Sequence, residues 1–367
     1  MEQQIIRSYY ELDEWLKGKN RVFLVHDASL QFLKIKTFFD ERDEKLVRFS
    51  DFQPNPLYES VVEGVKLFRD EQCDAIIAIG GGSALDVAKC IKLYSDFPGD
   101  GVDGTWLAAA ETISNHIPFL TIPTTAGTGS EATRYAVIYW HDAKQSITSK
   151  SIIPETVFME PSVLKTLPLY QKKATMCDAI CHAIESFWSV NSTDESKEYS
   201  KEAIKGILDH MDGYLNNTDV GNTGMLMAAH QAGKAINITQ TTAGHAMCYK
   251  ITSLFGVAHG HAAMLCDRIL YPWMIDNMVK CVDSRGLEYL KNTLDEIGIA
   301  MGGGDAQSGA EKLKKIFESL ELDIPKATEE QYEELKNSVN PVRLKNHPVQ
   351  LGINDIDKLY HFIIFPD

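Results

Sequence analysis

The sequence predicts an α/β nucleotide-binding domain over residues 1–160, with a Rossmann-like parallel sheet, then an all-helical metal-binding and substrate domain over residues 161–367. Three observations lead there. Short β-branched and apolar runs alternate with helix-compatible segments through the first half and stop after Pro161, the chain order of a mostly parallel sheet. Three consecutive glycines separate one of those runs from the helix that follows. The second half gathers one aspartate and four histidines into two short stretches, MCDAICHAIESF and TTAGHAMCYKITSLFGVAHGHAAM.

A chain of 367 residues is long enough for two cores. Its 44% apolar and 24% charged residues are those of a globular protein. The net charge of −15 argues against nucleic acid or an anionic membrane as partner. No run approaches the roughly 18 apolar residues of a membrane span. The opening MEQQIIRSYYELDEW is polar and acidic, unlike a signal peptide, and the seven cysteines lack framework spacing. These features set the expectation of reduced thiols and a cytoplasmic location.

In chain order, residues 21–26 (RVFLVH) read as a strand. Residues 55–70 read as a helix, with Asn55 as N-cap and Pro56 at the first helical position. Residues 75–79 are apolar on both faces, as in a buried parallel strand. That run breaks at Gly80, Gly81, Gly82 and Ser83, where backbone N–H groups at a helix start can receive a diphosphate. This is not the G-x-G-x-x-G fingerprint, and the best ribose-facing acid, Asp27, precedes the glycines. Asp86 and Lys89 follow on the helix, either facing the nicotinamide end or pairing with each other at i,i+3. Residues 119–123 form the next strand, and Thr124, Thr125, Thr128 and Ser130 then offer hydroxyls to a ribose, diphosphate or nicotinamide amide. Residues 136–139 and 156–159 read as further strands.

Helical segments follow at 170–190, 197–215, 223–237 and 243–254, with more between 287 and 320. Asp178 and His182 at i,i+4 share a helix face. His245 and His259 stand fourteen residues apart, and Gly260 ahead of His261 suggests a turn. Together Asp178, His182, His245 and His259 make an O/N donor set suited to Fe(II) or Zn(II), with room for a substrate oxygen. Cys177 and Cys181 are expected to pack beneath it as small hydrophobes. The expected active site is a cleft between the domains.

GGGSALDVAK, TIPTTAGTGSEAT, DAICHAIESF and GHAMCYKITSLFGVAHGHA, in this order, resemble the iron-containing (group III) alcohol dehydrogenases, with their dehydroquinate synthase-like fold. The resemblance spans residues 21–270. It implies a divalent ion, usually iron, on Asp178, His182, His245 and His259, and NAD(P) on residues 80–83 and 124–130. It also implies a homodimer and, from Asp27, NAD rather than NADP. Two positions depart from the family pattern. Tyr249 stands where many members carry a proton-relay histidine, leaving Tyr249, His261 or water as proton donor, and Glu160-Pro161 replaces an Asp-Pro. The wording around residues 241–262, with SVNPVRLKNHPV, resembles the phosphonoacetaldehyde reductase branch most. A phosphonate substrate would need cations or hydroxyls, for which Lys250, Ser253 and Arg134 are candidates. The alternatives are a general short-chain alcohol or polyol dehydrogenase, a dehydroquinate synthase-like lyase, and a metallohydrolase using the same donor set.

Overall fold

Runs of β-branched and aromatic residues supply the strands of the first part of the chain: β1 (Gln4–Ile6), β2 (Val22–His26), β3 (Leu46–Phe49), β4 (Ala75–Gly80), β5 (Phe119–Pro123), β6 (Tyr135–Trp140), β7 (Ala143–Thr148) and β8 (Thr156–Phe158). Between them lie α1 (Tyr9–Leu16), α2 (Ile35–Asp40), α3 (Tyr58–Asp70) and α4 (Gly82–Tyr94). The computed structural model describes residues 3–108, 115–141 and 143–365. Its residues fall into two units, Met1–Leu167 with Asn217–Leu226 and Pro168–Asn216 with Met227–Asp367.

In the first unit, six parallel strands lie in the order β1-β8-β5-β4-β2-β3. The chain steps from β2 outward to β3, then returns to place β4 on the other side of β2. The strand ends of β2 and β4 therefore flank a topological switch point, where α/β sheets bind ligands. Phe23, Val25, Ile76, Ala78 and Phe119 of the sheet pack with Tyr58, Val65, Leu85 and Ile91 of α3 and α4 in one core. Each such burial contributes about 1.5–3 kcal/mol for a large apolar side chain.

Two sequence expectations are corrected here. Asn55 is not an N-cap: it sits at φ 58°, a left-handed conformation that Asn tolerates, and α3 begins after Leu57. Pro56 is likewise outside the helix, where its carbonyl accepts the N–H of Tyr139 at 2.8 Å. The strand read at residues 136–139 is present as β6, outside the six-stranded sheet, paired antiparallel with β7.

The second unit is helical: α5 (Leu169–Trp188), α6 (Asp194–Leu215), the later part of α7 (Asp219–Thr239), α8 (Ala243–Phe255), α9 (His259–Asp276), α10 (Leu287–Ala300), α11 (Ala306–Ser319), α12 (Glu329–Lys336) and α13 (Ile353–Ile364). From Met176 to Trp188, α5 is buried on every side, so it is the central helix. It packs against α6 and α9, and α8 packs on α9. No helix among the described residues is long and apolar enough to cross a membrane.

Candidate active site

In the first unit, Gly80 at the end of β4 pairs with Pro123 at the end of β5, which sets the glycine loop beside the threonine loop. The approach is close: a methyl on Gly81 would stand 3.3 Å from Thr125 Cγ2, and one on Gly82 3.2 Å from Thr128 Cγ2. Thr124 donates its N–H to the Gly80 carbonyl at 3.0 Å. Asp27 follows β2, where its Oδ1 accepts the N–H of Ser29 at 2.9 Å and its Oδ2 that of Gly81 at 3.3 Å. The acid thus steadies the glycine loop directly. The Ser83 hydroxyl accepts the N–H of Asn55 at 3.4 Å.

Asp86 and Lys89 do not pair with each other at hydrogen-bond distance; they tie α4 to the threonine loop. Asp86 accepts the Ser130 hydroxyl at 3.0 Å and the N–H of Val137 at 3.0 Å. The Lys89 ammonium donates to Ser130 Oγ, Thr133 Oγ1 and the Tyr135 carbonyl at 2.9, 3.1 and 2.8 Å. Burial pushes Lys89 down to about 8, with Asp86 and Glu131 opposing. Ser130 is therefore engaged on both sides.

Beside Asp27 lies a cavity of about 560 Å³ lined also by His26, Lys36, Asp40, Asp43 and Arg48, a volume typical of ligand sites. Its two cations are already paired: Lys36 with Asp40, and Arg48 with Asp40 at 3.0 Å and Asp43 at 2.8 Å.

In the second unit, α5, α8 and α9 bring the predicted donor set together. Asp178 Oδ1 lies 3.4 Å from His245 Nε2, 3.8 Å from His182 Nε2 and 4.0 Å from His259 Nε2. With metal bonds of about 2.0–2.2 Å, neighbouring ligands of a tetrahedral shell stand roughly 3.4 Å apart, so the donors have the spacing of a metal shell. The His182 and His245 rings stack at 4.6 Å. Asp178, His182 and His245 are buried, whereas the His259 side chain is 38% exposed, which leaves that side of the shell open. Burial would raise the Asp178 carboxyl, but His182, then His245 and His259, hold it well below the usual carboxylate range. Burial likewise opposes a proton on His245, yet Glu185 and Asp178 on either side lift it to about 10. A divalent ion held by Asp178, His182, His245 and His259 would take the place of that proton.

The remaining candidates are placed as follows. Tyr249 stacks on His259 with ring centroids 5.3 Å apart. His261 lies two residues beyond His259 and turns to another face of α9, its Nδ1 3.2 Å from the Tyr170 hydroxyl; the structure does not bring it into the donor cluster. The turn expected at Gly260 is instead the first turn of α9. Lys250 forms an ion pair with Glu334, and the Ser253 hydroxyl donates to the Lys250 carbonyl at 3.2 Å. Arg134, in the first unit, donates from Nε to the Tyr135 hydroxyl at 3.1 Å. Cys177 and Cys181 are fully buried, and burial pushes both thiols up.

Comparison with known proteins decides the family. Residues 6–161 match the family described as iron-containing alcohol dehydrogenase, and residues 172–361 match the Fe-containing alcohol dehydrogenase family, C-terminal. This chain belongs to the iron-containing alcohol dehydrogenases. A phosphonoacetaldehyde reductase of Streptomyces viridochromogenes is 30% identical over 260 residues, which cover 68% of this chain and 66% of that enzyme. Alcohol dehydrogenase 4 of Saccharomyces cerevisiae is 26% identical, covering 87% of this chain and 83% of the yeast enzyme. The crystal structure of sulfoacetaldehyde reductase from Bifidobacterium kashiwanohense in complex with NAD+ superposes with a TM-score of 0.86 at 24% identity, over 100% of this chain and 98% of that one.

Residues of this iron-containing alcohol dehydrogenase that the sequence reading passed over support the shell from behind. Glu185 Oε1 accepts His245 Nδ1–H and, at 3.1 Å, the His245 backbone N–H. Its Oε2 accepts the N–H and hydroxyl of Thr242 at 2.5 and 2.6 Å. The signal was present: Glu185 follows His182 by three positions, one helical turn along the same face. Gly260 matters for packing, since a methyl there would overlap the Ala174 carbonyl and stand 2.5 Å from Asp178 Cβ. Without a side chain at Gly260, α9 lies close enough on α5 for His259 to approach Asp178.

Proposed function

We propose that this protein interconverts a small aldehyde and its primary alcohol with a nicotinamide cofactor, and that the preferred aldehyde is phosphonoacetaldehyde, giving 2-hydroxyethylphosphonate. The observation that carries the reaction class is the shell of Asp178, His182, His245 and His259, with donors 3.4–4.0 Å from Asp178 Oδ1 and one side open. A divalent ion there, Fe(II) by family habit, supplies the Lewis acidity that polarises a carbonyl, and a nicotinamide supplies the hydride. Asp178 contributes the one negative charge of the shell, and Glu185 fixes the His245 tautomer so that Nε2 faces inward. Tyr249, stacked on the exposed His259, is the candidate to deliver the proton that the alcohol product needs.

The glycine and threonine loops with the cavity beside Asp27 suit the cofactor. Asp27, Asp40 and Asp43 line that cavity against two cations already paired. A 2′-phosphate would meet more negative than free positive charge, so NADH is favoured over NADPH. The similarity to the Streptomyces reductase supports the phosphonate substrate. The match to the yeast alcohol dehydrogenase, which spans more of the chain, supports a general alcohol dehydrogenase as the second reading.

The test is kcat/KM of the Fe(II)-loaded protein for phosphonoacetaldehyde beside acetaldehyde, propanal and glycolaldehyde, with NADH and with NADPH. A preference of at least about tenfold for the phosphonate is expected. Equal or faster turnover of uncharged aldehydes would sink the phosphonate reading and leave a general short-chain alcohol dehydrogenase.

A further inference from the structure

One member of the shell is held differently from the others. The His259 side chain is 38% exposed, whereas Asp178, His182 and His245 are buried. Its orientation therefore depends on specific contacts rather than on close packing all round. The Tyr170 hydroxyl accepts the N–H of Ala258 at 2.9 Å, which pins the backbone one residue before His259, at the start of α9. The Tyr249 ring stacks on the imidazole, with centroids 5.3 Å apart and planes at 28°. A stacked ring on a fixed backbone can still flip about its Cβ–Cγ bond, so neither contact decides which nitrogen faces Asp178.

A contact from α8 does. Cys248 is fully buried, and its Sγ lies 3.4 Å from the His245 carbonyl oxygen and 3.6 Å from His259 Nδ1. A carbonyl can only accept, and a thiol has one proton. Both contacts are hydrogen bonds at once in a single arrangement: the S–H donates to the His245 carbonyl, and the sulfur accepts Nδ1–H of His259. The Nε2 lone pair is then on the side of Asp178, whose Oδ1 is 4.0 Å away.

We propose that Cys248 is a positioning residue of the metal centre: its sulfur, accepting from Nδ1–H, sets the orientation and tautomer of His259. It serves the partly exposed ligand as Glu185 serves His245. The two outer partners differ in kind. A carboxylate strengthens its histidine as a metal ligand, while a neutral sulfur is a weak acceptor and strengthens it little. The shell thus carries a strong donor on its buried side and a weaker one beside its opening. This rests on the proposed metal shell and adds to it the outer partner of its exposed member.

The test uses the full-length protein with Co(II) as the probe, titrated against a chelator. Binding is followed by visible absorption and by the paramagnetically shifted ring N–H resonances of the ligand histidines. Cys248→Ala removes the acceptor and is expected to weaken Co(II) binding about tenfold, the lower end for outer partners because sulfur accepts weakly. It should also shift the absorption bands and speed the exchange of one ring N–H with D2O. Cys181→Ala deletes another fully buried thiol, beside His182, and is expected to keep the parental affinity. Cys248→Ser replaces the sulfur by oxygen and should move that one N–H resonance while leaving the others in place. Three results overturn the proposal: parental affinity in Cys248→Ala, an equal loss in Cys181→Ala, or ring N–H resonances and exchange rates that Cys248→Ala leaves unchanged. If Cys248→Ala does not fold, Cys248→Ser decides, and an unmoved resonance overturns the proposal. Failure of every protein, parent included, to bind Co(II) defeats the metal reading itself, whereas failure of this inference leaves parental binding intact.

Discussion

Asp178 is the residue on which most of the proposed chemistry converges, since its Oδ1 lies within 4.0 Å of a ring nitrogen from each of three histidines. Asp178→Asn keeps the volume and removes the only negative charge of the shell. Loss of about 4 kcal/mol of charge stabilisation corresponds to roughly a 10³-fold fall in kcat/KM. NADH binding, read by fluorescence, should stay unchanged because the glycine loop belongs to the other unit. Retained turnover in this variant would remove Asp178 from the mechanism. The four residues of the proposed shell can be picked out from the sequence, because i,i+4 spacing and histidine clustering are local signals. Glu185 was harder to see: its spacing from His182 is a local signal, but its partners Thr242 and His245 come from the contact of α5 with the start of α8, which spacing does not give.

At the scale of elements, the shell depends on how closely α9 approaches α5. Gly260 sits at the crossing, where a methyl would overlap the Ala174 carbonyl and crowd Asp178 Cβ and N. Backbone atoms cannot yield as a flexible side chain can, so Gly260→Ala should force the helices apart. A destabilisation of about 1–3 kcal/mol is expected from overpacking, measured as a lower urea midpoint, together with weaker metal binding. An unchanged midpoint and unchanged affinity would show that the crossing has slack. The sequence suggested a turn at this glycine, because a lone Gly between two histidines carries no sign of which helix will press against it. The strand at residues 136–139 was legible but its hairpin partner β7 was not, for a related reason: strand composition is local, while the partner strand is not. Asn55 likewise satisfied an N-cap pattern, yet it sits at φ 58°, just before Pro56, whose carbonyl accepts the Tyr139 N–H.

For the whole molecule, the two-part reading was legible because strand patterns and helix patterns occupy different stretches of the sequence. Less legible was the assignment of residues 217–226, which include the start of the segment read as helix at 223–237, to the first unit. Global stability should also carry a pH signature from His347. It is 1% exposed, and among the described residues neither ring nitrogen has a hydrogen-bond partner. Burial lowers it to about 4, with Glu185 opposing. Its folded value lies below its unfolded value of about 6.5, so between these the unfolded chain binds the extra proton. Stability is therefore full above pH ~6.5 and declines as the pH falls towards ~4, by an amount on the order of 3 kcal/mol. His347→Phe should flatten the dependence of the urea midpoint on pH across that window; an unchanged slope would assign the acid sensitivity elsewhere. The central claim remains that the Asp178–His182–His245–His259 shell makes this an iron-type oxidoreductase. The most direct measurement is NADH oxidation with an aldehyde by chelator-stripped protein, before and after Fe(II) is restored. The account predicts negligible turnover when stripped and recovery on one equivalent of Fe(II) or another divalent ion. Full activity without metal would contradict it.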